Sequence, residues 1–409
     1  MLFNHDRALD IMERFQLDAL IACNFENVFY TSSLAWTPWS IGIHGEWNFT
    51  FSVIPFENEK EATLIVPKIV DAWPLLMQSD RSWIRDVRYY GENWFQTASS
   101  KMSRLEETFV ERMAAKSSRD PIATLAEVIM EKGLGKGSIG IEKDSLNFSG
   151  ESREFIRLQR LLPSAKFVEA SPVLRRIRLV KSPDEVERLE EALRVNERAL
   201  RVAFESIRNG NETSVARAAA KAITERGGLP LSVGVRHSHS SNAAGGKRFK
   251  RGDLVWNDYL ISYLGYCSDA ARMASVGKGD AKSSQVCAKL AGALGEIIEL
   301  ARPGVRVVNL YDEAISLIAE RVPYPHGEFG PCLGHGIGVC LGNRLGVGPH
   351  EEPWVVATSD SVLEPGMVIN LEVPYNCVGL GVFNIEDTIQ ITQRGNKRLS
   401  KLPRDVHVA

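Results

Sequence analysis

Nowhere in this chain do apolar residues run for the ~18 positions that a membrane-spanning helix needs. An excess of charge is also missing. The 49 Lys and Arg against 51 Asp and Glu leave a formal net charge of −2 and a pI near 6.5, which offers neither nucleic acid nor an anionic membrane a matching surface. The six cysteines (Cys23, Cys267, Cys287, Cys332, Cys340 and Cys377) contain no CxxC pair, so reduced thiols are expected rather than a zinc knuckle or a disulfide frame. The opening segment MLFNHDRALDIMERFQLDAL carries acids in a helical period and has no apolar stretch of the signal-peptide kind. No solenoid-period repeat or low-complexity tract is visible. These absences make a cytoplasmic globular protein the expectation, with neither nucleic acid nor membrane as partner.

At 409 residues, with 44% hydrophobic and 24% charged content, the chain is ordinary for a globular protein but long for one core, so two domains are expected. In the first part, helical and strand-like stretches alternate. Arg7–Phe15 is an amphipathic helix; Asp18–Phe25, Glu61–Pro67 and Gly137–Glu142 suit buried strands; Arg104–Met130 has helical period. That alternation implies an α/β layer. A boundary falls near Arg176, giving domains 1–175 and 176–409. Just beyond it Ser182, Pro183 and Glu185 form the start signals of a long helix. Past Leu229 the segments LVWNDYLISYLGYCSD, EPGMVINLEVPY and GVFNIEDTIQIT read as strands, with helices over Ser283–Ala301 and Asn309–Glu320. This second part is an α+β pattern with antiparallel strands. The glycine-rich stretch Gly327–Gly348 reads as a long loop.

Five potential metal ligands stand in order along the C-terminal third: Asp258 in GDLVWND, Asp269 in GYCSDAAR, His335 in GHGIG, Glu372 in EPGMVINLE and Glu386 in NIEDTIQIT. Taken singly, each aspartate is compatible with a turn, and His335 with a hydrogen-bonded loop histidine. Glu372 and Glu386 lie inside apolar, strand-like runs, where a buried carboxylate needs a partner and a cation is a good one. Asp258 and Asp269 flank Gly265–Tyr266, and a hairpin there would bring both to one face. Four carboxylates and an imidazole suit a pair of divalent cations, whose bound water loses a proton near neutral pH.

In these motifs, and in DALIACNFENVFYTSS, GSIGIEKDSL and IRLVKSPDEVERLEEA, the chain resembles the creatinase/aminopeptidase P/prolidase family. The resemblance covers nearly the whole length. It implies a pita-bread catalytic domain preceded by a creatinase-type α/β N-terminal domain. It implies two divalent metal ions (Mn, Co, Zn or Fe, with Mn favoured), bridged by Asp269 and Glu386. Asp258 would complete one metal site, and His335 and Glu372 the other. The implied reaction is amide hydrolysis by a bridging hydroxide, Glu372 carrying the proton to the leaving nitrogen. His350, in PHEEP, matches a histidine that contacts substrate, and Arg272 matches an arginine that supports a ligand carboxylate. The resemblance further implies a small peptide or amide substrate of Xaa-Pro type, and a homodimer in which Trp36, Trp39 and Trp47 are candidates for a pocket wall.

Several departures bear on the substrate. Peptidase members place a histidine about eleven residues before the GD motif, where this chain has Ser241; a shifted loop would supply His237 or His239, with His239 preferred. An insertion of about eight residues precedes His350, and Asn384 replaces an arginine that proline-specific members carry. None of these departures is expected to touch the five ligands. A creatinase-like hydrolase of a small C–N compound is therefore an alternative to an Xaa-Pro peptidase. An inactive family member used for binding is a third reading, disfavoured because all five ligand positions are kept.

Overall fold

The three strands expected from the N-terminal half all lie in the interior of its sheet. The structure is a computed structural model describing residues 2–34, 49–68, 82–92, 96–97, 101–115, 117–143, 148–237, 246–322, 332–340, 350–377 and 379–409. The chain divides into two compact units, Met1–Arg178 and Leu179–Ala409.

The first unit carries β1 (Ala19–Ala22), β2 (Phe51–Pro55), β3 (Thr63–Pro67), β4 (Asp86–Tyr90), β5 (Ser138–Ile141) and β6 (Lys166–Glu169) in the order β4-β3-β2-β1-β5-β6. Every residue of β1, β2 and β3 is buried, which is why they read as unbroken apolar runs rather than as an alternation. The strand expected over Asp18–Phe25 stops at Ala22. Asn24 accepts the Asn27 amide and caps a helix at Phe25–Ser32, while the buried Glu142 carboxylate accepts the Cys23 and Asn24 amides at 2.6 and 3.0 Å. The helical stretch expected over Arg104–Met130 is two helices, Arg104–Ala114 and Pro121–Glu131. Asp120 caps the second, and Pro121 sits at its first turn, where a missing N–H is harmless.

The second unit contains β7 (Leu229–His237), β8 (Leu254–Tyr263), β9 (Tyr266–Ser275), β10 (Gly334–Ile337), β11 (His350–Glu351), β12 (Val368–Glu372), β13 (Tyr375–Cys377), β14 (Gly381–Phe383), β15 (Glu386–Ile391), β16 (Asn396–Arg398) and β17 (His407–Val408). They form a four-stranded sheet, β17-β9-β8-β7, a five-stranded antiparallel sheet, β11-β10-β12-β15-β16, and the hairpin β13-β14. The helix Pro183–Ile207 opens with the expected capping box between Ser182 and Glu185. Helices Ala281–Leu300 and Val307–Arg321 bury Leu290, Leu294, Ile297, Leu310 and Ile318 in the core that Ile369, Leu371, Ile389 and Ile391 share. One expectation needs correction. The run Gly327–Gly348 is not all loop, because β10, with His335, lies inside it and pairs with β12; the residues on either side, 323–331 and 341–349, lie outside the described set.

The β8–β9 hairpin turns on Leu264 and Gly265, with φ of 49° and 83°, and Tyr263 faces Tyr266. Two positive φ values suit the right-handed twist of the strands but penalise a leucine. Leu264 is 52% exposed, so its side chain offers little burial in return. Leu264→Asn is expected to stabilise the protein by ~1 kcal/mol, read as a higher urea midpoint at unchanged slope. An unmoved or lower midpoint would show that the turn carries no strain.

Candidate metal centre

The hairpin register decides which carboxylates meet. Leu260 faces Asp269 and Asp258 faces Ala271, so the two aspartates share one face as a diagonal pair. On the other sheet Glu372 of β12 stands directly opposite Glu386 of β15, and His335 of β10 is opposite Asn370 of β12. Glycine clears the space around His335: a Cβ on Gly336 would collide with the Glu352 carbonyl.

Two groups of side chains converge. Asp258, Asp269 and Glu386 each bring one ligand atom within 4.8 Å of the others, and Asp269, His335 and His350 do the same. Asp269 belongs to both. Its Oδ2 lies 3.5 Å from His335 Nε2 and 3.1 Å from His350 Nε2, and the two imidazoles stack with centroids 3.7 Å apart. Glu372 joins neither group directly but is tied to Glu386 by Asn384, whose amide donates to Glu372 Oε2 at 3.0 Å and Glu386 Oε1 at 2.7 Å. Asn370 donates to the other Glu386 oxygen at 2.9 Å and accepts from Thr388. Asn384, expected to bear on substrate alone, therefore touches two of the five candidate ligands.

The electrostatics are those of a place built for cations. Burial, and then the charges of Asp269 and Glu372, push the Asp258 carboxyl well above the usual range. Burial and the charges of Asp269, Asp258 and Glu372 do the same to Glu386. Glu372 is raised mainly by burial, against the Asn384 hydrogen bond. Burial also opposes ionisation of Asp269, but the hydrogen bonds and charges of His335 and His350 hold it down, at about 2. Its Oδ1 is buried and has no hydrogen-bond partner among the described residues. A carboxylate oxygen so placed among oxygen donors and imidazoles fits a divalent cation.

The remaining sequence candidates are placed differently. Arg272 does not bond a candidate-ligand carboxylate. Three residues from Asp269 on β9, it faces the other way, donating to the Glu386 backbone carbonyl, to Asp387 Oδ1 at 2.7 Å and to the Leu402 and Pro403 carbonyls. Asp387 is fully buried and also binds Arg398 and Arg404, at 2.7 and 2.6 Å. Burial works against its charge, yet these three guanidiniums depress its pKa. The sequence reading missed Asp387, although an acid directly after Glu386 on a buried strand must face the reverse side. His237 ends β7 opposite Val255, on the face away from Asp258, with Nδ1 3.3 Å from Asp253. His239, Ser241, the insertion before His350, and Trp36, Trp39 and Trp47 lie outside the described residues.

The profile of metallopeptidase family M24 matches residues 187–393, and that of the creatinase/prolidase N-terminal domain matches residues 75–180. The chain belongs to metallopeptidase family M24. It is a metal-dependent hydrolase whose fold joins a creatinase-type N-terminal domain to a pita-bread domain. An Xaa-Pro dipeptidase of Pyrococcus horikoshii is 32% identical over 249 residues, 59% of this chain and 68% of that protein. The prolidase structure from Pyrococcus horikoshii OT3 superposes with a TM-score of 0.69 at 27% identity, covering 98% of this chain and 99% of that one. The X-Pro aminopeptidase from Thermotoga maritima MSB8, at 23% identity, shares the fold with a TM-score of 0.71 over 97% and 99% of the two chains.

Carboxyl groups that bind protons more readily folded than unfolded make stability fall as pH rises above the unfolded value of about 4. Asp258, Glu372 and Glu386 have raised pKa values and are such groups. In chelator, the melting temperature is expected to drop between pH 5 and pH 8; saturating Mn²⁺ should flatten that slope and raise stability most at pH 8. Equal slopes with and without the ion would rule out the cluster as its site. Asp387→Asn should destabilise by about 3 kcal/mol in urea unfolding, because the buried Arg272 and the half-buried Arg398 and Arg404 lose their counter-charge; a loss below 1 kcal/mol would mean the cluster is not structural.

Proposed function

We propose that the protein hydrolyses the amide bond of Xaa-Pro dipeptides or of short peptides beginning Xaa-Pro, using a two-metal centre held by Asp258, Asp269, His335, Glu372 and Glu386. The observation that carries this reading is Asp269, common to two converging ligand groups and left with one orphaned oxygen. The kinship with an Xaa-Pro dipeptidase supports the substrate class. Manganese is the metal we favour. The cytoplasm is the compartment we favour, in keeping with all six cysteines being free thiols. A homodimer remains the expected assembly.

Two divalent cations there would supply Lewis acidity, polarising the scissile carbonyl and lowering the pKa of water. The protein's own groups do the rest. Glu372 is half-buried and oriented by Asn384, which suits it to move a proton between water and the leaving nitrogen. His350 is also half-buried and lies beside Asp269, within reach of a carbonyl oxygen as it gains charge. Trp354, 41% exposed, stands edge-on to His350 at 5.8 Å and offers an apolar plane to a pyrrolidine ring. Arg272 acts behind the centre, fixing the Glu386 backbone.

The test is hydrolysis of Xaa-Pro dipeptides, Xaa-Pro-Yaa tripeptides and creatine by the Mn²⁺-loaded protein. Turnover of proline substrates is expected, and turnover of creatine alone would replace the reading with a creatinase-like one. Asp269→Asn should lose metal and activity together; an unchanged metal stoichiometry would sink the ligand assignment. His350→Ala should keep its metal and lose on the order of a hundredfold in kcat, whereas full activity would make His350 a bystander.

A further inference from the structure

His350 sits on a strand of only two residues, β11, whose sole ladder partner among the described residues is β10. Two rungs at a sheet edge are a weak hold on an imidazole that must be placed within a fraction of an ångström. The next residue supplies what the ladder does not. Glu351 projects from the opposite face of the strand to His350. Its carboxylate accepts the Val339 amide at 3.1 Å and the Lys181 ammonium at 3.2 Å. The side chains of Lys181 and Glu351 are 1% and 11% exposed. Lysine is almost never buried so deeply without a partner, and this one meets its partner one residue from His350.

The pair is seated on both sides. A Cβ on Gly338 would run into the Glu351 carboxylate, so only glycine leaves room for it there. The backbone of Lys181 is fixed by donation to the Gly366 carbonyl at 3.0 Å, and its neighbour Ser182 caps the helix Pro183–Ile207. Glu185, in that helix's first turn, accepts from Tyr266 Oη at 3.1 Å and feels the charges of both Lys181 and Glu351. The rigid start of a long helix thus reaches a short edge strand through one ammonium.

We propose that Lys181 is a positioning residue for His350, acting through Glu351. The proposal rests on the reading of His350 as a substrate-contacting group. Lys181→Met keeps most of the volume and takes the ammonium away from Glu351. In hydrogen exchange, peptides over residues 350–355 should lose protection in this variant while those of the helix Pro183–Ile207 do not. The kcat/KM should fall on the order of tenfold or more, chiefly in kcat. The same substitution made in a His350→Ala protein should change kcat/KM less than twofold. A merely structural role would instead lower activity equally in both backgrounds, and that result, or unchanged exchange at 350–355, overturns the proposal. If Lys181→Met does not fold, Lys181→Gln, which keeps a donor, takes its place. Failure of the wild type on every peptide would refute the functional reading, yet the exchange comparison, which needs no substrate, would still decide whether Lys181 holds the strand.

Discussion

Repulsion among four carboxylates, Asp269 and Glu386 buried and Asp258 and Glu372 half-buried, is the constraint around which the second unit is organised. Two unit charges 4 Å apart repel by about 4 kcal/mol at an effective dielectric near 20, and a domain's whole stability is about 5–15 kcal/mol. Asp258, Asp269, Glu372 and Glu386 therefore cannot all stay ionised together unless protons or cations neutralise them. Register makes this unavoidable: Glu372 and Glu386 are directly opposed across a ladder, the arrangement that like charges normally avoid. Such a pairing is tolerable on buried strands when a ligand completes it.

Strand alternation lets the same elements bear a second, opposite cluster. Glu386 and Asp387 are neighbours that face opposite ways, as do Asp269 and Arg272 on β9. The site side thus collects carboxylates while the reverse side collects Arg272, Arg398 and Arg404 around Asp387. Arg272 also bonds the Glu386 carbonyl, tying β9, which carries Asp269, to β15, which carries Glu386. The distance between two ligand-bearing strands of different sheets is set by that reverse-side cluster.

The architecture and the identity of the converging residues were largely legible in the sequence, because both reside in local signals. Ser182, Pro183 and Glu185 announce a helix, and Glu372 and Glu386, set in apolar runs, demand partners. Other features were hidden for physical reasons. His335 lies between glycines that read as loop, yet those glycines permit close strand packing, a non-local cause. Arg104–Met130 kept helical period on both sides of a break fixed by Asp120 and Pro121. Arg272 was expected at a ligand carboxylate and instead meets Asp387 and the Glu386 backbone, since sequence spacing does not say which face of a neighbouring sheet an arginine will meet. Lys181 and Glu351, 170 residues apart, carry no local sign of their pairing.

Asn384 shows how closely the charge balance is drawn. Four carboxylates carry a charge of about −4 when ionised, and two divalent cations return about +4. The side chains that hydrogen-bond Glu372 and Glu386, Asn384 and Asn370, are neutral amides, so they orient the carboxylates without competing for that balance. A guanidinium or ammonium in their place would cancel part of the charge and lower the affinity for the second cation. The imidazoles complete the argument. Burial alone would keep His335 neutral, but the charge of Asp269 raises its pKa in the absence of cations. A cation that took up the Asp269 charge would remove the reason for that proton and leave His335 the neutral nitrogen donor that metal coordination needs. Protons and metal ions thus compete for the same few atoms, and the amides of Asn384 and Asn370 orient Glu372 and Glu386 without adding a positive charge of their own.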